Sequence, residues 1–82
     1  KLYFEPVGHT VFFLYDDRPG VIGTVGMRLA EAGINIQDMR NPHDSRSNRS
    51  LVIMRVNQMP ADELMDEIGR EIHALSAFKI TF

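Results

Sequence analysis

The chain has 82 residues, 44% of them hydrophobic, a formal charge of −2 and no cysteine. That length supports one domain with one shared core, to which a second chain would add useful burial. The charge speaks against a nucleic-acid partner, the missing cysteine excludes disulfide scaffolds, thiol catalysis and cysteine metal sites and leans towards a reducing cytoplasm, and no apolar run is long enough to enter a membrane.

The chain opens at Lys1, not Met, so residues 1–8 read as the remnant of a linker and 9–82 as the domain. Residues 9–15 are rich in β-branched and aromatic side chains and form a first strand. Phe12 and Leu14 lie on one side, Val11, Phe13 and Tyr15 on the other, so both faces are apolar and the strand is central. A turn at Asp16-Asp17-Arg18-Pro19-Gly20 leads into a helix. Pro19 suits the first helical position, and Asp17 sits where a carboxylate can cap free N–H groups. About three turns on, Gly33 is placed to stop the helix in a left-handed conformation, with Ile34 folding back on Leu29.

A second strand at residues 34–39 has only a short apolar face, which marks an edge. Residues 41–48 are a long polar hairpin, and a third strand at 51–56 directs Val52, Met54 and Val56 to the helices. Pro60 opens a second helix that runs to about Ala74, and Phe78, Ile80 and Phe82 alternate with Lys79 and Thr81 in a last strand.

The order strand, helix, strand, strand, helix, strand describes two βαβ halves joined by a hairpin. Their helices carry matching stripes, Val21, Val25, Leu29 and Ala32 against Leu64, Ile68, Ile72 and Leu75. Both then pack on one face of a four-stranded antiparallel sheet in the order 4-1-3-2, an α+β ferredoxin-like sandwich. Opposite its stripe, the second helix has an ordinary solvated face of Asp62, Asp66, Arg70 and His73. The first helix has Gly23, Gly26, Met27 and Ala30 there. Glycine weakens a helix, and two of them on one face point to a second packing surface rather than to loose selection.

Catalytic patterns are weak. His9, His43 and His73 are scattered without the spacing of a metal site, and Asp16 and Asp17 are neighbours whose side chains point apart. Ser45, Ser47 and His43 share a hairpin without a base and orienting acid around a buried nucleophile. The helix start remains: free N–H groups at Gly20, Val21 and Ile22, with Arg18 nearby, can receive a small carboxylate.

Asp17-Arg18-Pro19-Gly20-Val21, followed by Gly23-Thr24-Val25-Gly26 and Gly33-Ile34-Asn35-Ile36, resembles the ACT domain, in the form of the regulatory domain at the C-terminus of D-3-phosphoglycerate dehydrogenase. The resemblance covers residues 9–82. It implies the same ferredoxin-like fold, side-by-side dimers joined through edge strands and first helices, and small amino-acid effectors between the subunits. In serine-inhibited members a histidine and an asparagine before Arg-Pro-Gly, and an asparagine after the first helix, hold L-serine. Here Asn35 matches the last, whereas Tyr15 and Asp17 replace the first two. Asp17 suits an ammonium group and repels a carboxylate, and Tyr15 offers one hydroxyl instead of an imidazole.

The expectation is therefore a non-catalytic, cytoplasmic regulatory domain without cofactor or metal, attached to a serine-biosynthesis dehydrogenase and acting as a homodimer or larger homo-oligomer. Its effector, with serine one candidate, is placed at Tyr15, Asp17, Arg18, Pro19, Gly20, Val21, Ile22 and Asn35, and its dimer interface at Gly23, Gly26, Met27, Ala30, Asn35 and Gln37. A constitutive dimerisation module with a decayed ligand site is the alternative, and an autonomous small enzyme is a third reading.

Overall fold

The computed structural model describes residues 8–82, so the expected linker at 1–8 lies outside the described residues except for Gly8. Strand β1 (His9–Asp16) is flanked on both sides, by β4 (Arg49–Val56) and by β5 (Ser76–Thr81), both antiparallel to it. Among the described residues, strand β2 (Ile36–Arg40) pairs with β4 alone, through a register shift between Ile36 and Asp38, and lies at an edge. The sheet order is β2-β4-β1-β5. This is the expected order, with one addition: the hairpin contains a two-residue strand, β3 (His43–Asp44), that also pairs with β4. At the other edge, the N–H of Phe82 donates to the carbonyl of Gly8 at 2.8 Å, extending the β1–β5 ladder to its last residues.

Side-chain alternation on β1 decides where the core lies. Val11, Phe13 and Tyr15 are buried with Val52, Met54 and Val56 of β4 beneath the two helices, α1 (Val21–Glu31) and α2 (Asp62–Glu71). Phe12 and Leu14 face the other way, where the Phe12 ring stacks on Phe78 with centroids 4.6 Å apart. Strand β5 presents Phe78 and Ile80 on this open face and turns Lys79 towards the helices, where Nζ donates to the carbonyl of Pro60 and pairs with Asp62, each at 2.7 Å.

Both helices end alike. At α1 the N–H of Gly33 donates to Ala30 and that of Ile34 to Leu29, both at 2.9 Å, with Gly33 at φ 76°. This double bond pattern is the Schellman cap, and Ile34 and Leu29 are both in the core as its hydrophobic contact requires. At α2 the N–H of His73 donates to Arg70 and that of Ala74 to Gly69, with His73 at φ 54°. The second helix thus runs from Asp62 to Glu71 instead of from Pro60 to Ala74, and His73 caps it instead of lying on its solvated face. Two stripe positions shift accordingly: Leu75 and Ala32, beyond the helix ends, are exposed, while Met65 enters the core. Between the helices, the Arg28 guanidinium bridges Glu71 at 2.7 Å and Glu67 at 2.6 Å, and these two bonds hold its pKa above the ordinary value.

Candidate functional site

The turn before α1 is built by Pro19 and Gly20 together. Gly20 has φ 92° and ψ −11°, the geometry of the third residue of a type II turn, in which proline favours the second place. The helix therefore begins at Val21, and Pro19 belongs to the turn instead of being the first helical residue. The first intrahelical bond, from Thr24 N–H to the Gly20 carbonyl at 3.0 Å, leaves the amides of Val21, Ile22 and Gly23 at the mouth of the helix with no side-chain cap.

Asp17 is not the cap. Its N–H donates to the Asn48 carbonyl at 2.9 Å, one carboxylate oxygen accepts from Ser50 Oγ at 2.9 Å, and the other lies 3.9 Å from His43 Nε2. The pairing of Tyr15 with Ser50 and Asp16 with Arg49 puts these hairpin residues beside the turn. Arg18 turns away from the helix mouth: its guanidinium donates to the carbonyls of Asp16 and Ile72, the latter the C-cap residue of α2, where a cation complements the helix dipole.

An open depression of about 580 Å³ lies at this turn. All seven site candidates from the first half of the motif, Tyr15 and residues 17–22, line it. Asn41 and Asn48 line it too, and sequence reasoning missed both because only the hairpin's pairing with β4 brings them here. Asn41 Nδ2 lies 3.0 Å from the Tyr15 hydroxyl and 3.0 Å from the Leu51 carbonyl. Asn48 adopts φ 57°, and its Oδ1 lies 3.3 Å from His43 Nε2, from which it can accept a hydrogen bond. Nearby, Asp44 accepts from Ser47 Oγ at 2.7 Å and from the Arg46 N–H at 3.3 Å, which holds its pKa below the ordinary carboxylate value.

Asn35 is not at the depression. It follows α1, whose 11 residues separate the two sites by about 16 Å at 1.5 Å per residue. There its backbone is fixed by Asn57, which accepts from the Asn35 N–H at 2.8 Å and donates to its carbonyl at 3.0 Å, and its side chain is left exposed. Between the two sites runs the small face of α1. Gly23 and Ala30 are exposed, Met27 is 62% exposed, and Gly26 is partly covered. A Cβ placed on Gly23 or Gly26 would meet nothing within 4 Å, so no contact among the described residues demands glycine at either position. Gln37, in the shifted part of the β2 edge, is exposed as well.

Residues 9–73 match the family model of the ACT domain. The chain belongs to the ACT domain family. It is 34% identical over 69 residues to the D-3-phosphoglycerate dehydrogenase of Archaeoglobus fulgidus, and 30% identical over 67 residues to that of Mycobacterium bovis. Each alignment takes in 82% of this chain and only 13% of the relative, so this ACT domain corresponds to a small part of those proteins. Among solved structures, a formyltetrahydrofolate deformylase from Pseudomonas syringae superposes with a TM-score of 0.75 at 19% identity, over 95% of this chain and 28% of that one. An ACT domain protein from Streptococcus pneumoniae superposes with a TM-score of 0.64 at 15% identity, over 93% and 90% of the two chains. These likenesses establish the shared ferredoxin-like fold. No helix among the described residues is long and apolar enough to cross a membrane.

Proposed function

We propose that this ACT domain binds a small amino acid at the start of α1, between two copies of the chain, and so controls an attached cytoplasmic dehydrogenase of serine biosynthesis, of the D-3-phosphoglycerate dehydrogenase type. The domain itself catalyses nothing and holds no cofactor. The observation that carries the reading is the depression at the Arg-Pro-Gly turn, where an Asp17 carboxylate and the uncapped amides of Val21 to Gly23 border one space. An α-amino acid carries the matching pair of charges, an ammonium for the carboxylate and a carboxylate for the positive helix end.

Asn35 joins this site only from a second chain. A two-fold partner laid antiparallel along the small face of α1 brings its Asn35 to the Asp17 end, and the side chain can then both donate and accept. Effector binding would stabilise the dimer by mass action, which is how a signal passes to a catalytic domain. Asn35→Ala is expected to weaken binding by about 1–3 kcal/mol, the cost of leaving a buried polar group of the effector unmet. Isothermal titration of the chain and of this variant with the common amino acids tests the reading, and equal affinities would place the site elsewhere.

One observation favours a different function, a constitutive dimerisation module. Arg18, the only cationic side chain lining the depression among the described residues, is engaged with two backbone carbonyls and not held out to a ligand. On this second reading the chain self-associates with the same strength in the presence and absence of every amino acid.

A further inference from the structure

We propose that a second depression, on the open face of the sheet, is a binding site for an amino acid with an apolar side chain, held by Arg49 and Asp44 over Leu14 and Leu51. It is separate from the effector site proposed above and does not rest on that reading. The depression has a volume of about 400 Å³, within the range that small-molecule sites occupy. Leu14 and Leu51 form its floor. They are direct partners in the β1–β4 ladder and half-buried, and Pro42 stands beside them because its carbonyl accepts from the Leu51 N–H at 3.0 Å.

Strand alternation sorts the polar residues around this floor. Tyr15, Ser50 and His43 fall on one side of the ladder, and His43, although it borders the depression, turns Nε2 to Asp17 and Asn48 on that side. Asp44 and Arg49, paired one rung further along, fall on the other side with Leu51. Opposite charges directly across a ladder attract, yet among the described residues no ion pair joins these two. Each is held elsewhere. The Asp44 carboxylate accepts from Ser47 Oγ at 2.7 Å and from the Arg46 N–H at 3.3 Å, which fixes it within the hairpin. Arg49 meets Asp16 through Nε alone, at 3.5 Å, and both side chains are largely exposed. Among the described residues the two Nη groups of Arg49 make no bond, so the fork they form is left to a ligand.

This layout specifies a ligand with both charges. A carboxylate matches the Nη fork of Arg49, and an ammonium matches the lone pairs that Asp44 has left. A ligand with one charge alone satisfies one of these residues and is repelled by the other. The floor of two leucines and a proline adds a third requirement, a side chain with apolar surface to bury. L-Leucine meets all three requirements, whereas glycine lacks the last.

The test is NMR titration of the isotopically labelled whole chain with unlabelled L-leucine. Intermolecular Overhauser contacts from the ligand methyls to the methyls of Leu14 and Leu51 are expected. Glycine, isoamylamine and isocaproate, which each lack one of the three features, are expected to bind about tenfold more weakly or worse, and Arg49→Gln to lose about tenfold for leucine, as the loss of a charge-assisted contact implies. Absence of the Leu14 and Leu51 contacts overturns the proposal, as does isoamylamine, isocaproate or Arg49→Gln binding as tightly as leucine binds the parent chain. Equal binding by glycine overturns the requirement for an apolar side chain. Leucine contacts confined to Val21 to Gly23 overturn this site and leave the effector reading standing. Contacts at Leu14 and Leu51, with no amino acid perturbing the amides of Val21 to Gly23, do the reverse.

Discussion

Gly33 and His73 do the same work with different side chains. Each occupies the left-handed position of a Schellman cap, at φ 76° and φ 54°. A Cβ at Gly33 would meet nothing within 4 Å, so a substitution there is penalised by the backbone conformation alone. Gly33→Val is expected to lower stability by about 1 kcal/mol or more, the scale of placing a β-carbon in that region. His73→Gly should do the reverse and raise it by about 1 kcal/mol, since the same penalty is removed. Denaturant midpoints of the two variants check both signs. The sequence reading reached Gly33 because glycine after a helical stripe has few other uses, whereas a histidine in register with the polar face of the preceding helix looks like its continuation. Pro19 misled for a related reason: its fixed φ near −65° fits both the second place of a type II turn and the first place of a helix. Only the φ of Gly20 separates the two.

At the scale of elements, strand periodicity proved the better guide. The inward set on β4, Val52, Met54 and Val56, is buried as its alternation requires, and β2 is the edge that its short apolar face indicates. What alternation alone could not decide was which set of β1 faces the helices, because both sets are apolar. Strand β5 shows how such a choice is settled from outside, by the ion pair of Lys79 with Asp62 in the first turn of α2. An inward-pointing charge also discourages a free sheet edge from pairing with another strand. The hydrogen bond and charge of Lys79 hold the Asp62 pKa below its ordinary value. A carboxylate with a depressed pKa stabilises the fold above its unfolded pKa and loses that contribution as pH falls through the folded one. Stability is thus expected to decline below about pH 4, the unfolded carboxylate range, and less steeply in Asp62→Asn. Chemical denaturation of both chains at pH 7 and pH 3 measures the difference, and parallel declines would show the pair to be irrelevant.

For the molecule as a whole, the question is which surface a second copy covers. Helix α2 packs against β5 and α1 against α2, the β2 edge is the sheet edge opposite β5, and Gly26 sits within the small face of α1. A long charged side chain there would hold another helix off. Gly26→Arg is expected to convert a self-associating chain into a monomer while leaving its melting temperature at low concentration nearly unchanged, since a Cβ at this position meets open space. Sedimentation at tens of micromolar, roughly where modest interfaces hold, reads the outcome. A parent chain that is already monomeric there counts against the interface. The fold, and the gathering of Tyr15 and residues 17–22 at the turn before α1, were legible in the residues that build them. Asn41 and Asn48 were not, because nothing local to a polar hairpin records that it will fold back beside Tyr15 and Asp17.

The bond from Phe82 to Gly8 has a mechanical consequence. It makes the first residue pair of β1 and the last of β5 neighbours at one corner of an antiparallel ladder, with His9 opposite Thr81. A pull applied through both ends of the domain would load this ladder one rung at a time, starting from that corner, instead of shearing all its rungs at once. Peeling needs far less force than shear, so tension would detach β5 first. The core between β1, β4 and the helices would stay closed, and the turn that borders the depression would stay with it.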